Sequence, residues 1–395
     1  MKKTLVFMLL FLFSAFSGLS SFAAEEKVSD EKSYELTKQN IEISSKSAVL
    51  MEAESGEIIF SKNENEALAP ASVTKIMTLL LVMEAVDDGR ISLDSEIPIS
   101  AYAASMGGSQ VFLKEGEYIS VRDLIKCTVI ASANDAAVAL SEHIYGSEAD
   151  FVDAMNAKAK QLGMNNTVFE NTTGLDDTVE RHLTSALDIA IMSRELIKHS
   201  LILEYSSLWQ DSIRNGEFTL TNTNRLVRYY DGCTGLKTGS TDKAGYCISA
   251  TAERDGTKLI AVVMGAETRD ERNSIARSLL DLGFSNYTLY KDYERVVDNI
   301  PIYGANILSV PVYSESVSVL INKNHKNKVE KIYEIKDELV APIENGAIVG
   351  KVKYYIDDSL LCEKNIFVKE SVERLTLKNI FSGMIRTVLC GKFNK

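Results

Sequence analysis

The chain has 395 residues, of which 45% are hydrophobic and 25% charged, an ordinary globular composition with room for two or three domains. Its formal net charge of −12 argues against nucleic-acid binding as a main function. The acidic residues form no long run, so a solvated surface accounts for them.

The N-terminus has the pattern of a secretory signal peptide. Lys2 and Lys3 precede an apolar run over residues 5–13, and Ser21-Phe22-Ala23 offers small residues at a cleavage site. Residues 1–23 are therefore predicted to direct export, although an uncleaved membrane anchor is the alternative. Residues 24–44 are polar and charged without a clear period, which predicts a flexible lead-in.

A β-hairpin is predicted over residues 48–60, where two short apolar runs flank a turn. A helix is predicted to start near Pro70, because proline suits a first helical turn and a wide apolar face follows it. Ser72 and Lys75 would project from one side of that helix. A hydroxyl beside an amine is a candidate nucleophile and base, while a capping serine with a solvated lysine is the alternative.

Residues 91–120 are predicted to form loops and short extended pieces. Apolar spacing predicts helices over residues 121–130 and 136–144. The small polar residues between them would project Ser132 and Asn134 from a rigid base. The alternative is that one of these two side chains caps the second helix.

Helices are also predicted over residues 151–162 and 185–197, the second with Ser185 as its cap. The residues between them, 164–184, are predicted to form a long irregular loop that contains Thr173-Gly174-Leu175. Loops of this length in a compact domain are often functional.

Residues 245–252 and 259–264 are predicted to pair as an antiparallel hairpin. The stretch that leads into it contains Lys237-Thr238-Gly239-Ser240, where Gly239 would let a substrate backbone approach the strand edge. A turn before a strand also explains these residues. An amphipathic helix over residues 269–282 is predicted to close the domain.

Alternating apolar residues and an Asn345-Gly346 turn predict a separate small all-β domain over residues 291–371. The tail, residues 372–395, is predicted to be an amphipathic helix that lies in a membrane interface, because it is too short and too charged to span a bilayer. A helix packed on the β domain or on a partner chain is the alternative. The apolar stripe of this helix comprises Leu377, Ile380, Phe381, Met384, Ile385, Val388 and Leu389.

The cysteines and histidines argue against several classes of site. The five cysteines are scattered and lack C-x-x-C pairs, which favours neither a disulfide framework nor a zinc site. Cys233 and Cys247 could pair across neighbouring segments, but free thiols are expected. The four histidines form no H-E-x-x-H, and G-x-S-x-G is absent from the sequence, so a metalloprotease and a Ser-His-Asp hydrolase have little support.

Three short motifs occur in order along the chain: Ser72-x-x-Lys75, Ser132-x-Asn134 and Lys237-Thr238-Gly239. Each is weak alone, but the triple is typical of penicillin-binding proteins and class A β-lactamases. With Thr173-Gly174-Leu175, these motifs make the chain resemble the serine-type D-alanyl-D-alanine carboxypeptidases, the low-molecular-mass penicillin-binding proteins of peptidase family S11. The resemblance covers nearly the whole chain after the signal peptide.

The resemblance implies an α+β fold of the α-β sandwich type. A penicillin-recognising (β-lactamase/transpeptidase-like) domain over residues 45–290 would have an antiparallel sheet flanked by helices, followed by the small all-β domain and the amphipathic helix. Ala133 stands where class A β-lactamases have an aspartate, and the 164–184 loop lacks their Glu-x-x-Leu-Asn run. Both departures point away from that class.

The implied chemistry is acyl transfer through a serine ester. Ser72 would attack the carbonyl between two D-alanines, and Lys75 would take the proton of its hydroxyl group. Burial and the positive charge of Lys237 would both lower the pKa of Lys75, so that its amine is neutral. Water would then release the shortened peptide.

The resemblance also implies roles for the remaining motif residues. Ser132 would relay a proton to the leaving amine, and Asn134 would orient the lysine amine and bind the substrate amide. Lys237 and Thr238 would hold the terminal carboxylate. The backbone N–H groups of Ser72 and Ser240 would form an oxyanion hole.

The expected substrates are peptidoglycan stem pentapeptides that end in D-alanyl-D-alanine, and β-lactams are expected to acylate Ser72. Neither a cofactor nor a metal is expected. The enzyme would work at the outer face of the cytoplasmic membrane, attached peripherally through residues 372–395. A β-lactamase, an endopeptidase that cuts peptide cross-links and a non-catalytic wall or spore-coat protein that binds stem peptides are the alternatives.

Overall fold

The computed structural model describes residues 33–36, 41–176 and 179–390, and at residues 383 and 386–390 it describes the backbone alone. The signal peptide predicted over residues 1–23 lies outside the described residues, as does part of the lead-in.

The strands in these ranges are β1 Ser47–Glu52, β2 Ile58–Lys62, β3 Glu96–Pro98, β4 Tyr118–Ser120, β5 Gln210–Ile213, β6 Phe218–Thr221, β7 Cys233–Thr241, β8 Gly245–Arg254, β9 Thr257–Ala266, β10 Tyr287–Asp292, β11 Arg295–Tyr303, β12 Ser309–Ser314, β13 Val317–Asn322, β14 Glu330–Ile335, β15 Leu339–Val340, β16 Ile348–Ile356 and β17 Ser359–Val368. The helices are α1 Lys75–Asp87, α2 Ala101–Ala104, α3 Val121–Val129, α4 Asn134–Tyr145, α5 Glu148–Gln161, α6 Ala186–Leu196, α7 Ser200–Ser206, α8 Leu226–Tyr229, α9 Arg269–Asn286 and α10 Leu377–Cys390.

A five-stranded antiparallel sheet, in the order β2-β1-β9-β8-β7, separates two hydrophobic cores. Successive side chains of a strand face opposite sides of the sheet. Val49 and Met51 therefore lie in the core that contains α1 and α6, whereas Ala48 and Leu50 lie in the core that contains α9. This is the sheet flanked by helices that the resemblance implies, and β7 forms one of its edges.

Most of the elements predicted from periodicity are confirmed, among them the β1–β2 and β8–β9 hairpins and helices α3, α5, α6 and α9. Ser185 caps α6 as predicted, since its hydroxyl accepts the N–H of Asp188 at 3.1 Å. The sequence pattern did not predict α2, α7, α8, β5 or β6, because segments this short show no clear period.

A third hydrophobic core lies among the strands that follow α9. There a six-stranded sheet has the order β14-β16-β17-β12-β11-β15, and β10 pairs separately with β13. Strand β10 begins directly after α9, so the domain boundary expected at residue 290 falls inside this strand.

Helix α10 presents apolar side chains to solvent. Leu377, Phe381 and Met384 are 85%, 68% and 63% exposed, so the described part of the predicted stripe does not pack on the β domain. For Val388 and Leu389 only the backbone is described. Among the helices in the described ranges, none combines the length and the apolar character needed to cross a bilayer.

The described lead-in residues 33–36 contact the β domain. The N–H of Tyr34 donates to the carbonyl of Leu360 at 2.8 Å, and its hydroxyl donates to Asn322 Oδ1 at 2.8 Å. This part of the predicted flexible lead-in is therefore tied to the second sheet.

The cysteines whose side chains are described, Cys127, Cys233, Cys247 and Cys362, are free thiols, as expected. Cys233 pairs in register with Ala252, whereas Cys247 lies opposite Gly239. The two thiols are therefore several residues apart along the β7–β8 ladder, and the alternative of a bond between them is wrong.

Candidate active site

The predicted nucleophile and base are in contact. Lys75 Nζ lies 3.0 Å from Ser72 Oγ, and the lysine side chain is fully buried at the start of α1. Ser72 does not lie in the regular helix predicted for it, but in a 3-10 turn over Ala71–Thr74 that leads into α1. Residues i and i+3 eclipse one another in a 3-10 turn, so the tighter geometry still brings the two side chains together.

Two further groups surround the Lys75 amine, and both can only accept hydrogen bonds. Asn134 Oδ1 lies 2.6 Å from Nζ and the carbonyl of Thr173 lies 2.8 Å from it. Asn134 Nδ2 donates to the carbonyl of Gly107 at 2.7 Å, which fixes the orientation of the amide. A neutral amine that donates to both acceptors turns its lone pair towards the hydroxyl of Ser72.

The surroundings of Lys75 favour this neutral form. Burial lowers the pKa of Lys75 well below its ordinary value, and the positive charge of Lys237 lowers it further. The negative charge of Asp135 acts in the opposite direction. Burial and the Lys237 charge act together, so the amine is prepared to accept a proton.

The second predicted pair also meets. Lys237 Nζ donates to Ser132 Oγ at 2.8 Å and to the carbonyl of Thr238 at 2.9 Å. Burial, followed by the charge of Arg272, lowers the pKa of Lys237 to about 7. This lysine therefore changes protonation state near neutral pH.

The connection between α3 and α4 places two predicted site residues. The alternative that Ser132 or Asn134 caps α4 is wrong: Ala133 is the N-cap residue and no side chain caps this helix. Ser132 adopts a left-handed conformation with φ of 64°, which residues other than glycine rarely do. Instead of capping α4, the Ser132 hydroxyl contacts Lys237 and the Asn134 amide oxygen contacts Lys75.

Strand β7 lies against the turn that carries Ser72. A Cβ atom at Gly239 would lie 2.8 Å from the backbone nitrogen of Ser72 and 2.8 Å from the carbonyl oxygen of Pro70. The group that approaches Gly239 most closely is therefore the chain's own turn, and glycine is needed for the sheet edge to reach it. Thr238 donates its hydroxyl to Thr223 Oγ1 at 2.8 Å.

The backbone just before Ser72 is also strained. Ala71 has φ of 49°, and its carbonyl accepts the hydroxyl of Thr74 at 2.8 Å. His182 Nδ1 accepts the N–H of Glu170 at 3.0 Å, so its Nε2 carries the proton and donates to Thr74 Oγ1 at 2.7 Å. Burial lowers the pKa of His182 to about 4, which keeps this donor neutral near pH 7.

The sequence predicts no role for His182, because an isolated histidine in a long loop carries no spacing signal. The structure gives it one: through Thr74 it supports the conformation that presents Ser72. Gly174, the central residue of the Thr173-Gly174-Leu175 motif, packs directly on the carbonyl of Ala71.

The hydroxyls of Ser72 and Ser132 face a cleft of about 440 Å³, whereas Lys75, Asn134 and Lys237 are buried and are not part of its lining. Five predicted site residues line the cleft, namely Ser72, Ser132, Thr238, Gly239 and Ser240. The lining also includes residues that no sequence motif marks, among them Ser109, Trp209, Thr223, Arg225, Arg269 and Arg272. A larger cavity of about 660 Å³ lies between the lead-in and β13, away from the serine–lysine pairs.

Arg272 is the buried cation of the cleft wall, with 3% of its surface exposed. Its guanidinium donates to Asn273 Oδ1 and to the carbonyl of Cys247, which are both neutral acceptors. Burial lowers its pKa to about 10, so it is charged at neutral pH. A buried guanidinium with neutral partners suits a carboxylate ligand. Nothing in the spacing of α9 marks this residue beforehand.

No metal site emerges within the part of the chain that the structure describes, since none of its groups of His, Cys, Asp and Glu side chains is placed to hold an ion.

A family model described as D-alanyl-D-alanine carboxypeptidase matches residues 34–268, and one described as the C-terminal domain of penicillin-binding protein 5 matches residues 284–374. The D-alanyl-D-alanine carboxypeptidase DacF of Bacillus subtilis is 44% identical over 336 residues, covering 83% of this chain and 86% of the relative.

Solved structures match as well. Penicillin-binding protein 5 from Haemophilus influenzae superimposes with a TM-score of 0.75 at 31% identity, covering 86% of this chain and 100% of that one. Penicillin-binding protein D2 from Listeria monocytogenes, in its ampicillin-bound form, has a TM-score of 0.58 at 34% identity, covering 62% of this chain and 100% of that one.

Replacing Gly174 with alanine is expected to destabilise the site. The new Cβ would overlap the carbonyl oxygen of Ala71, and the φ of 80° at this position disfavours any L side chain. We expect the free energy of unfolding to fall by more than about 2 kcal/mol, measured by urea denaturation. Gly116→Ala is the matched control, because Gly116 has φ of 74° with open space around it. Equal losses in the two variants would show that the contact with Ala71 is unimportant.

Proposed function

The chain belongs to the D-alanyl-D-alanine carboxypeptidase family, and we propose that it removes the terminal D-alanine of peptidoglycan stem peptides through an ester formed at Ser72. It is a serine-type enzyme of this family. The observation that carries the assignment of the nucleophile is the Lys75 amine, which is buried, lowered in pKa and 3.0 Å from the Ser72 hydroxyl.

In the proposed first step, Ser72 Oγ forms a bond to the carbonyl carbon of the scissile amide while its proton passes to the neutral Lys75 amine. The backbone N–H groups of Ser72 and Ser240 would bind the developing oxyanion. The close approach of β7 to the Ser72 turn, which Gly239 permits, supports this pairing. A donor of this kind is worth about 3–4 kcal/mol of barrier.

In the next step the C–N bond to the terminal D-alanine breaks, and its nitrogen takes up a proton. We propose that Ser132 relays the proton that Lys75 took from Ser72: its hydroxyl, which faces the cleft and contacts Lys237, passes a proton to the nitrogen and regains one from the Lys75 ammonium. The Lys75 amine is thereby neutral again. Asn134 keeps Lys75 oriented throughout. Water then attacks the ester with Lys75 as base, and Ser72 recovers its proton.

The leaving D-alanine carries the free carboxylate of the substrate. Lys237 and Thr238 are proposed to bind it, joined by Arg272 from α9. A bound carboxylate would favour the charged form of Lys237, whose pKa of about 7 otherwise leaves it partly neutral. β-Lactams present a similar carboxylate beside a reactive carbonyl, so we propose that they acylate the same serine.

Export and membrane attachment form a second part of the proposal. The sequence of residues 377–395 contains four basic residues, Lys378, Arg386, Lys392 and Lys395, and no acidic ones, in a chain whose net charge is −12. Its exposed apolar stripe and its positive charge suit the interface of an anionic membrane. We propose that α10 holds the enzyme at the outer face of the cytoplasmic membrane.

Substitution of the two central residues tests the nucleophile and the base. Ser72→Ala is expected to abolish D-alanine release from a diacetyl-Lys-D-Ala-D-Ala peptide, and Lys75→Ala to lower it by about 100- to 10,000-fold. Intact-protein mass spectrometry after benzylpenicillin treatment should find an adduct on the wild type but not on Ser72→Ala. Ser109→Ala, which alters another serine of the cleft wall, should keep both activities. An adduct that survives in Ser72→Ala would refute the assignment.

The pH dependence of acylation tests the charge state of Lys75. The reactive amine is neutral, so the rate of acylation by benzylpenicillin should rise about tenfold per pH unit below the pKa of Lys75. Lys237→Gln removes a like charge, which should raise that pKa and move the acid limb to higher pH.

Arg225→Gln is the control for this shift, because Arg225 lines the cleft but does not contribute to the lowered pKa of Lys75. Its acid limb should coincide with that of the wild type. A limb that stays in place in Lys237→Gln would contradict the proposed coupling of the two lysines.

Removal of α10 tests the attachment. A chain that ends at Thr376 should stay in the supernatant when the chain of residues 24–395 sediments with phosphatidylglycerol vesicles. Release of D-alanine from a soluble peptide should be the same in both, because α10 contributes no residue to the cleft. Equal sedimentation of the two chains would show that α10 does not attach the enzyme to the membrane.

A further inference from the structure

A second exposed apolar surface lies at the tip of the hairpin between β11 and β12. Tyr303 and Leu308 are 58% and 91% exposed, and Ile307 is 45% exposed. The stretch from 303 to 309 contains no charged residue, although a quarter of the chain is charged. Surface apolar residues are ordinary when scattered, but a contiguous group indicates an interaction site.

The backbone holds these residues together. The N–H of Ile302 donates to the carbonyl of Leu308 at 3.1 Å, which closes the hairpin. Tyr303 lies opposite Val340 in the parallel pairing of β11 with β15, and Val340 is 67% exposed. We call the surface formed by Tyr303, Ile307, Leu308 and Val340 the apolar tip.

The segment that leads into α10 is fixed to this tip. Ile343 and Val372 exchange two backbone hydrogen bonds of 2.9 and 2.8 Å, and the N–H of Leu375 donates to the carbonyl of Gly304 at 2.6 Å. Helix α10 begins two residues later, at Leu377. The apolar stripe of the helix therefore starts beside the apolar tip.

We propose that the apolar tip inserts into the membrane interface beside α10, so that the β domain itself contacts the lipid surface. This inference rests on the membrane attachment proposed for α10 and adds a second contact to it. Continuity with the stripe of α10 and the apolar character of all four tip residues favour a lipid partner, while Lys369, Glu370 and Glu373 share a pocket with Ile307. Tyrosine, leucine and isoleucine are suited to that interface. Two contacts would also restrict how the catalytic domain is oriented over the membrane.

The experiment compares the chain of residues 24–395 with three double variants in sedimentation with vesicles of phosphatidylcholine and phosphatidylglycerol. Ile307→Ser/Leu308→Ser alters the tip, and Phe381→Ser/Met384→Ser alters α10. Tyr293→Ser/Ile332→Ser is the matched control, because it removes two exposed apolar residues from the same domain. Tyr293 precedes β11 at the end remote from the tip, and Ile332 lies on β14, the opposite edge of the sheet from β15.

We expect the tip variant to bind vesicles at least fivefold more weakly than the wild type and the control to stay within twofold of it. Wild-type affinity in the tip variant, with loss of binding in the α10 variant, would overturn the inference and leave the attachment by α10 intact. Failure of the unaltered chain to sediment would overturn both. Self-association without lipid that the tip variant loses would instead assign the surface to a second copy of the chain.

A spectroscopic measurement locates the tip directly. Leu308→Trp in a Trp209→Phe background gives a single tryptophan, because Trp209 is the only one in the sequence. Its emission should shift to shorter wavelength on addition of vesicles, and brominated lipids should quench it. An unchanged emission from vesicle-bound protein would overturn the inference.

Discussion

The site depends on one buried amine, that of Lys75, whose surroundings favour its neutral and therefore basic form. Lys75 is fully buried, and two of its three partners, Asn134 Oδ1 and the carbonyl of Thr173, can only accept hydrogen bonds. Burial and the nearby charge of Lys237 favour the neutral amine. With both of its protons occupied, the amine directs its lone pair at Ser72. Exposure of Lys75 to water would remove each of these effects at once.

The scaffold around this amine accepts local strain to present the two serines. Ala71 and Ser132 both adopt left-handed conformations, each of which costs about 1–2 kcal/mol for an L-residue. Neutral hydrogen bonds hold the first of them in place, through Thr74 and His182. The sheet on one side and α1 on the other leave little room for relaxation, which is why Gly174 and Gly239 pack directly on the turn.

The cleft and the second domain serve different ends of the proposed function. The cleft combines a neutral base with cationic groups, Lys237 and Arg272, that suit a terminal carboxylate. The β domain lies at the other end of α9 and carries both the apolar tip and the segment leading to α10. A membrane contact there would set the position of the cleft relative to the membrane and would leave its chemistry unchanged.

The sequence by itself determined most of the longer helices and strands, because their periodicity is readable without long-range contacts, and it placed three local motifs in order along the chain. The class of fold and the meeting of those motifs followed from the family resemblance that the motifs carry. Ser72 and Lys75 are three residues apart, and the alternation of β8 and β9 is visible in their residues. Only the tertiary structure decided that Lys75 is buried beside Thr173, that His182 and Arg272 belong to the site, and that the chain's own turn lies against Gly239. Lys75 and Thr173 are 98 positions apart and Thr74 and His182 are 108 apart, so packing, not spacing, creates these contacts.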